Sequence, residues 1–273
     1  MKFAIVNTCI STLHSKADMN STVVDEALYG SLVTILEEIN QDICYIETFY
    51  RYRGYVRSTD LLKDDCLVNE WIKIPKNIVN SSYVDILTIP RVQGLCKISL
   101  TRGAIIHAVT PANSNGWVLV GLCDGSTGYM KEKFINRYVD TWSCDNEETF
   151  RAAVIKTALS YMGTQYRWGG KTPLGVDCSG LCFMSYLLNG VIIYRDADIV
   201  EEFPIHRITR DKMKPGDLLY FPNHMAMYIG NDHYVHSTGR NGSDGVVINS
   251  LKPQDPDYRE DLANTIIAIG SIF

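Results

Sequence analysis

No apolar run in this sequence approaches the roughly 18 residues needed to cross a bilayer, so a membrane-spanning helix has no candidate. There is no excess of positive charge either: 26 Lys and Arg stand against 31 Asp and Glu, for a net charge of -5. Nucleic acid and anionic membrane both favour a basic surface, so neither is expected as a partner. The first residues, Met1 to Cys9, carry one Lys and a short apolar stretch. A secretory leader needs a longer apolar core and a small-residue cleavage site. The expectation is a cytoplasmic protein, or a secreted or cell-envelope one if a leader has been removed. Eight cysteines, at 9, 44, 66, 96, 123, 144, 178 and 182, form no CxxC pair and no short framework. Zinc or another metal is therefore not expected, nor any cofactor, and a chain this long does not need disulfides for its core. Most of the cysteines read as reduced, small apolar residues; Cys178 is the exception.

What is present is ordinary globular composition, 46% hydrophobic and 21% charged, in 273 residues, a length that suits two or three domains. The first 140 residues contain a weak repeat. Gly30 precedes the run Ser31 to Leu36, and Gly54-Tyr55-Val56 follows 24 residues after that glycine. Gly103 precedes Ala104 to Val109, and Gly128-Tyr129-Met130 begins 25 residues on, the two copies lying 73 residues apart. Short β-type runs broken by Gly, Asn and Asp are the pattern of small antiparallel barrels. Two are expected, over residues 1–66 and 80–140. With the strand Trp117 to Val120, this pattern resembles bacterial SH3-like domains.

After Cys144 the pattern changes, and a third domain is expected over residues 145–273. Asn146 can cap a helix whose first turn carries Glu147 and Glu148, favourable at the positive helix end. Phe150, Val154, Ala158 and Tyr161 recur at near-helical spacing and Gly163 ends the run. A second helix is expected from Cys178 to Leu188, closed by Gly190. Strand-like runs follow at Leu218–Phe221, Met225–Ile229, Tyr234–His236, Val246–Ile248 and Ile266–Ile269. Helices first and strands afterwards predict an α+β domain.

Cysteine catalysis needs a thiolate, a base and donors for the oxyanion. In Asp177-Cys178-Ser179-Gly180 the cysteine falls in the first turn of the second helix, where backbone N–H groups and the helix dipole favour S⁻. Before it, Tyr166-Arg167-Trp168-Gly169-Gly170 is a turn able to bring backbone close to a ligand. After it, Pro215-Gly216-Asp217 leads into a strand, and a hairpin returns His236 towards His224.

Taken together and in this order, these segments resemble the NlpC family of papain-like cysteine peptidases, over about residues 147 to 273. The resemblance implies Cys178 as nucleophile, His224 as general base and His236 as the polar residue that orients it. It implies Tyr166 beside the oxyanion site, and Asp177 and Ser179 as substrate anchors. Gln165 stands where the family usually has Pro, and Ala197 and Val200 near the places of a usual Ser and Gln. Those departures bear on the acyl-side pocket, not on the thiol or its base.

Family members cut murein peptides between γ-D-glutamate and a diamino acid. Two SH3-like domains ahead of the catalytic one resemble the subgroup that trims murein peptides with a free N-terminal L-alanine. The resemblance then implies an L-Ala-γ-D-Glu-diamino acid substrate, with Tyr52 and Glu26 of the first domain closing on its amine. An exported hydrolase targeted to the wall by its SH3-like domains and a catalytically inactive wall-binding protein are the alternative readings.

Overall fold

The computed structural model describes residues 2–139 and 146–273. Cys144 and the expected domain edges at 140 and 145 lie outside the described residues. The chain divides into two compact units, Met1–Tyr138 and Val139–Phe273.

The first unit holds two seven-stranded antiparallel sheets. In the first, the strand order is Val23–Leu28, Ile10–His14, Arg53–Arg57, Ile43–Thr48, Leu32–Glu38, Lys2–Val6, Leu61–Leu62. The second repeats that order strand for strand over Asn77–Arg137, which is how the sequence repeat is expressed in three dimensions. Period-two alternation gives each sheet an inner face: along Ile43–Thr48 every second residue is buried. Ala4, Val6, Leu13, Val33, Ile46 and Val56 pack together inside the first sheet. Gly30 has φ +77°, and a Cβ there would lie 2.2 Å from the Ile105 carbonyl oxygen. Both constraints require glycine.

One element of this unit has no counterpart in the sequence reading. Asp65–Lys73 is a helix, capped by Asp64, whose side chain accepts the Leu67 N–H at 3.0 Å. Only Val68 and Trp71 of this helix are buried, too few to give a legible period. Trp71 fixes it by donating its indole N–H to the Gly30 carbonyl at 2.9 Å.

The second unit is α+β. Its first helix, Glu147–Leu159, starts where Asn146 accepts the Thr149 N–H at 2.9 Å. Phe150, Val154 and Ala158 face inward. In the second helix, Cys178–Leu187, every residue through Tyr186 is buried. A six-stranded antiparallel sheet runs in the order His206–Ile208, Ala268–Ser271, Leu218–Phe221, His224–Gly230, His233–Thr238, Gly245–Ser250. The final strand begins two residues later than the apolar run suggested, and the edge strand His206–Ile208 has no apolar signal at all.

The Pro-Gly-Asp turn ties the first helix to this sheet. Arg151 donates to the Asp217 carboxylate at 2.8 Å and to the Pro215 carbonyl at 2.9 Å. Tyr186 of the second helix donates to the Gly216 carbonyl at 2.6 Å. Both helices thus grip the turn that launches the Leu218–Phe221 strand, and the next strand carries His224.

Candidate active site

Asp177 starts the cysteine helix. One carboxylate oxygen accepts the Gly180 N–H at 2.6 Å, the other the Gly169 N–H at 2.9 Å. A Cβ on Gly180 would lie 2.2 Å from the Gly170 carbonyl oxygen. Only a glycine in Asp-Cys-Ser-Gly lets the Trp-Gly-Gly turn seat on the helix start. Beneath both lies Arg195, 1% exposed. Its guanidinium reaches Asp177 at 3.2 Å, the Ser179 hydroxyl at 2.8 Å, and the Gly169 and Gly170 carbonyls at 3.1 and 3.3 Å. Asp177 and Ser179, which the resemblance assigns to the substrate, therefore also belong to an internal network, and the Asp177 charge is matched by a buried cation. Arg195 itself was missed as a site residue. Its signal is the segment Arg195-Asp196-Ala197, the place where the family often has Arg-Asp-Ser.

The histidines come together through the sheet. His224–Gly230, His233–Thr238 and Gly245–Ser250 are neighbouring strands, with Met227 opposite Val235 and Tyr234 opposite Asn249. His224, His236 and Asn249 consequently share one face as successive diagonal neighbours. His224 Nε2 lies 2.7 Å from His236 Nδ1, and His236 Nε2 lies 2.8 Å from Asn249 Oδ1. Asn249 was also missed, because cross-strand register is invisible in sequence spacing. Backbone groups of Met225, next to His224, and of Ser179 act on the Cys178 sulfur and lower its pKa. Among the described residues His224 Nδ1 makes no hydrogen bond, whereas Nε2 is taken by His236.

The electrostatics correct one expectation. The helix start was expected to hold Cys178 as a thiolate. Instead, burial first and then the Asp177 charge push its pKa up to about 11, outweighing the lowering by Met225, Ser179 and Arg195. Burial, then His236 and Arg259, push His224 down to about 3. Burial chiefly takes His236 down to about 4, against the hydrogen bond it donates to Asn249. Burial thus favours the neutral form of both rings and the protonated form of the sulfur. Tyr166 lies within electrostatic reach of Cys178 and Asp177, and its hydroxyl is held protonated by burial above all.

The remaining expected residues sit in the first unit. Glu26 is buried, 1% exposed, in the strand Val23–Leu28. Tyr52 leads into the strand Arg53–Arg57 and packs against the first sheet's core. The strand Ile10–His14 separates those two strands. Of the positions that depart from the family pattern, Gln165 donates to the Leu174 carbonyl at 2.6 Å and so braces the loop before Cys178. Among the described residues, one group, His233 with Asp255 and Asp257, has ligand atoms within 4.8 Å of one another. Asp255 there already accepts from Ser250 at 2.6 Å.

Residues 163–259 match the NlpC/P60 family model. The chain is 46% identical over 272 residues to Dipeptidyl-peptidase 6 of Lysinibacillus sphaericus, covering 99% of each chain. It is 30% identical over 134 residues to the γ-D-glutamyl-L-lysine dipeptidyl-peptidase of Bacillus subtilis, covering 46% of this chain and 43% of that one. In fold it is similar to the crystal structure of an NlpC/P60 family protein from Bacillus cereus ATCC 10987, with a TM-score of 0.79, 17% identity and 98% of each chain covered. With full-length likeness added to a buried cysteine at a helix start and a hydrogen-bonded histidine pair on the sheet, the chain belongs to the NlpC/P60 family of cysteine peptidases.

Proposed function

We propose that this enzyme hydrolyses the γ-D-glutamyl–diamino acid bond of murein peptides whose N-terminal L-alanine is free. The observation that carries the reading is the near-complete, end-to-end likeness to a dipeptidyl-peptidase, which extends through both sheets of the first unit. A likeness confined to the catalytic unit would favour a wall hydrolase with an unrelated targeting domain. On this reading the two sheets are SH3-like barrels, spanning residues 1–66 and 80–140, and the catalytic domain spans 145–273. Tyr52 and Glu26 are the first barrel's candidates for recognising the substrate amine, and Asp177 is the catalytic domain's. The enzyme works in the cytoplasm on released peptides. Among the described residues, no helix is long and apolar enough to cross a membrane.

The chemistry follows from the residues. Cys178 Sγ attacks the γ-carbonyl carbon of D-glutamate while its proton passes to His224 Nδ1. The carbonyl electron pair moves to oxygen, where Tyr166 and the Cys178 backbone N–H receive it. Collapse expels the diamino acid amine, which takes the proton back from His224. Water, deprotonated by the same nitrogen, then releases L-Ala-γ-D-Glu and restores the thiol.

The test compares kcat/KM on L-Ala-γ-D-Glu-diamino acid and on its N-acetylated form. A charge-assisted contact contributes about 1.5–3 kcal/mol. Because Asp177 is already matched by Arg195, the lower end applies, so acetylation is expected to cost about tenfold. Tyr52→Ala should narrow the gap between the two peptides. Equal rates on both by the wild type would refute the free-amine reading and favour an enzyme acting on intact peptidoglycan, where muramic acid blocks that amine.

A further inference from the structure

Three strands bring a run of polar atoms from His224 to a backbone carbonyl. Asn249 Oδ1 lies 2.8 Å from His236 Nε2, and its Nδ2 donates to the Asp257 carbonyl at 2.7 Å. That carbonyl has no hydrogen to give, so the amide's NH₂ must face it and its oxygen must face His236. The carbonyl is itself held in place, since the Ser250 N–H donates to it at 3.2 Å. One fixed acceptor therefore sets the direction of every hydrogen bond towards the cysteine.

The geometry points to Asn249 as a positioning residue that dictates which ring nitrogens of His236 and His224 carry hydrogen. Asn249 Oδ1 can only accept, so His236 carries its proton on Nε2. His236 Nδ1 is then a bare lone pair, 2.7 Å from His224 Nε2. His224 must donate there, which leaves its Nδ1 as a lone pair, the form needed to accept the thiol proton. The opposite amide orientation would set an N–H against His236 and reverse both rings. His224 Nδ1 would then bear hydrogen and could not act as the base. The inference rests on the peptidase reading above for its kinetic consequence, but the tautomers themselves do not depend on any substrate.

The surroundings leave the amide as the group that sets this order. His236 is fully buried, and its ring meets Tyr234 at 5.2 Å between centroids. The ionisable groups acting on the pair from outside it are Arg259 and Asp261, from the segment after Asp257. Arg259 is clamped by Asp261 through bonds of 2.7 and 2.6 Å. This clamp acts on the charge of the pair, whereas Asn249 determines the placement of its protons.

The experiment reads the tautomers directly, by long-range ¹H–¹⁵N correlation of the imidazoles at neutral pH. The wild type should show both His224 and His236 protonated on Nε2 alone. In Asn249→Leu, which can neither accept nor donate, the two rings should populate both tautomers. Its kcat should fall by about 10–100-fold, as when an orienting partner of a functional histidine is lost, with KM unchanged. In Asn249→Asp, a carboxylate still accepts from His236 but favours the protonated pair, so the acid limb of the kcat/KM profile should move to higher pH. An Nδ1 proton on either ring in the wild type would overturn the proposal. So would Asn249→Leu with wild-type tautomers and kcat, or Asn249→Asp with an unmoved acid limb. A wild type with the expected tautomers that fails to cut γ-D-glutamyl peptides would instead overturn the substrate reading and leave this one standing.

Discussion

Arg195→Met removes the cation under the cysteine helix and keeps most of the side chain's length. The side chains of Arg195 and Asp177 are 1% and 10% exposed, so water screens their interaction little. Removing one partner of a buried pair leaves an uncompensated charge and typically costs about 3–5 kcal/mol. Asp177 keeps the Gly169 and Gly180 N–H groups and the Ser179 hydroxyl, so a loss near about 3 kcal/mol is expected. Two effects separate the charge from the packing. Asp177→Asn added to Arg195→Met removes the orphaned charge while Asn can still cap the helix. The double variant should therefore recover about 2 kcal/mol relative to the single one. Arg195 also lowers the thiol pKa, so the single variant should lose kcat/KM at neutral pH even where fully folded. Urea denaturation midpoints at constant slope measure the first effect, and initial rates the second. A single-variant loss below about 1 kcal/mol, or a double variant less stable than the single, would refute the claim that Asp177 depends on Arg195.

Acid should destabilise the fold through the histidine pair. Both residues bind protons more readily unfolded, near 6.5, than folded, about 3 and about 4. Their contribution is complete above about pH 6.5 and is lost as pH falls towards 4, at up to about 1.4 kcal/mol per pH unit for each ring. His224→Gln/His236→Gln should flatten that slope; an unchanged slope would contradict the burial of neutral rings. Iodoacetamide at pH 7 should modify the exposed Cys66 and Cys96 before the buried Cys178. In Cys66→Ser/Cys96→Ser, labelling of Cys178 should rise steeply above pH 8, towards its pKa of about 11. A rate already at its plateau at pH 7 would mean a resident thiolate.

Local chemistry was legible in the sequence. Asn146 and the two following glutamates announce one helix. Asp177 and the glycines around Cys178 announce a helix start pressed against a turn. The five main apolar runs of the second unit fall on strands, because a strand buried on a sheet face must be apolar over several residues. What the sequence hides is set by partners far along the chain. Arg195 finds Asp177 across eighteen positions, and Asn249 finds His236 across thirteen, through a register that no spacing encodes. The helix Asp65–Lys73 escaped because only two of its residues face a core. The thiol pKa was misjudged for a related reason: a helix start argues for S⁻ locally, but the depth of burial that overrides it is a property of the whole fold.

On the proposed function, Cys178 opens the γ-D-glutamyl bond. A mass-spectrometric digest of L-Ala-γ-D-Glu-meso-diaminopimelate and L-Ala-γ-D-Glu-L-Lys, run with wild type and with folded Cys178→Ala, tests it most directly. The wild type should release the dipeptide L-Ala-γ-D-Glu and the intact diamino acid from at least one of the two, and the variant should release neither. Cleavage between L-alanine and D-glutamate, or undiminished cleavage by Cys178→Ala, would contradict it.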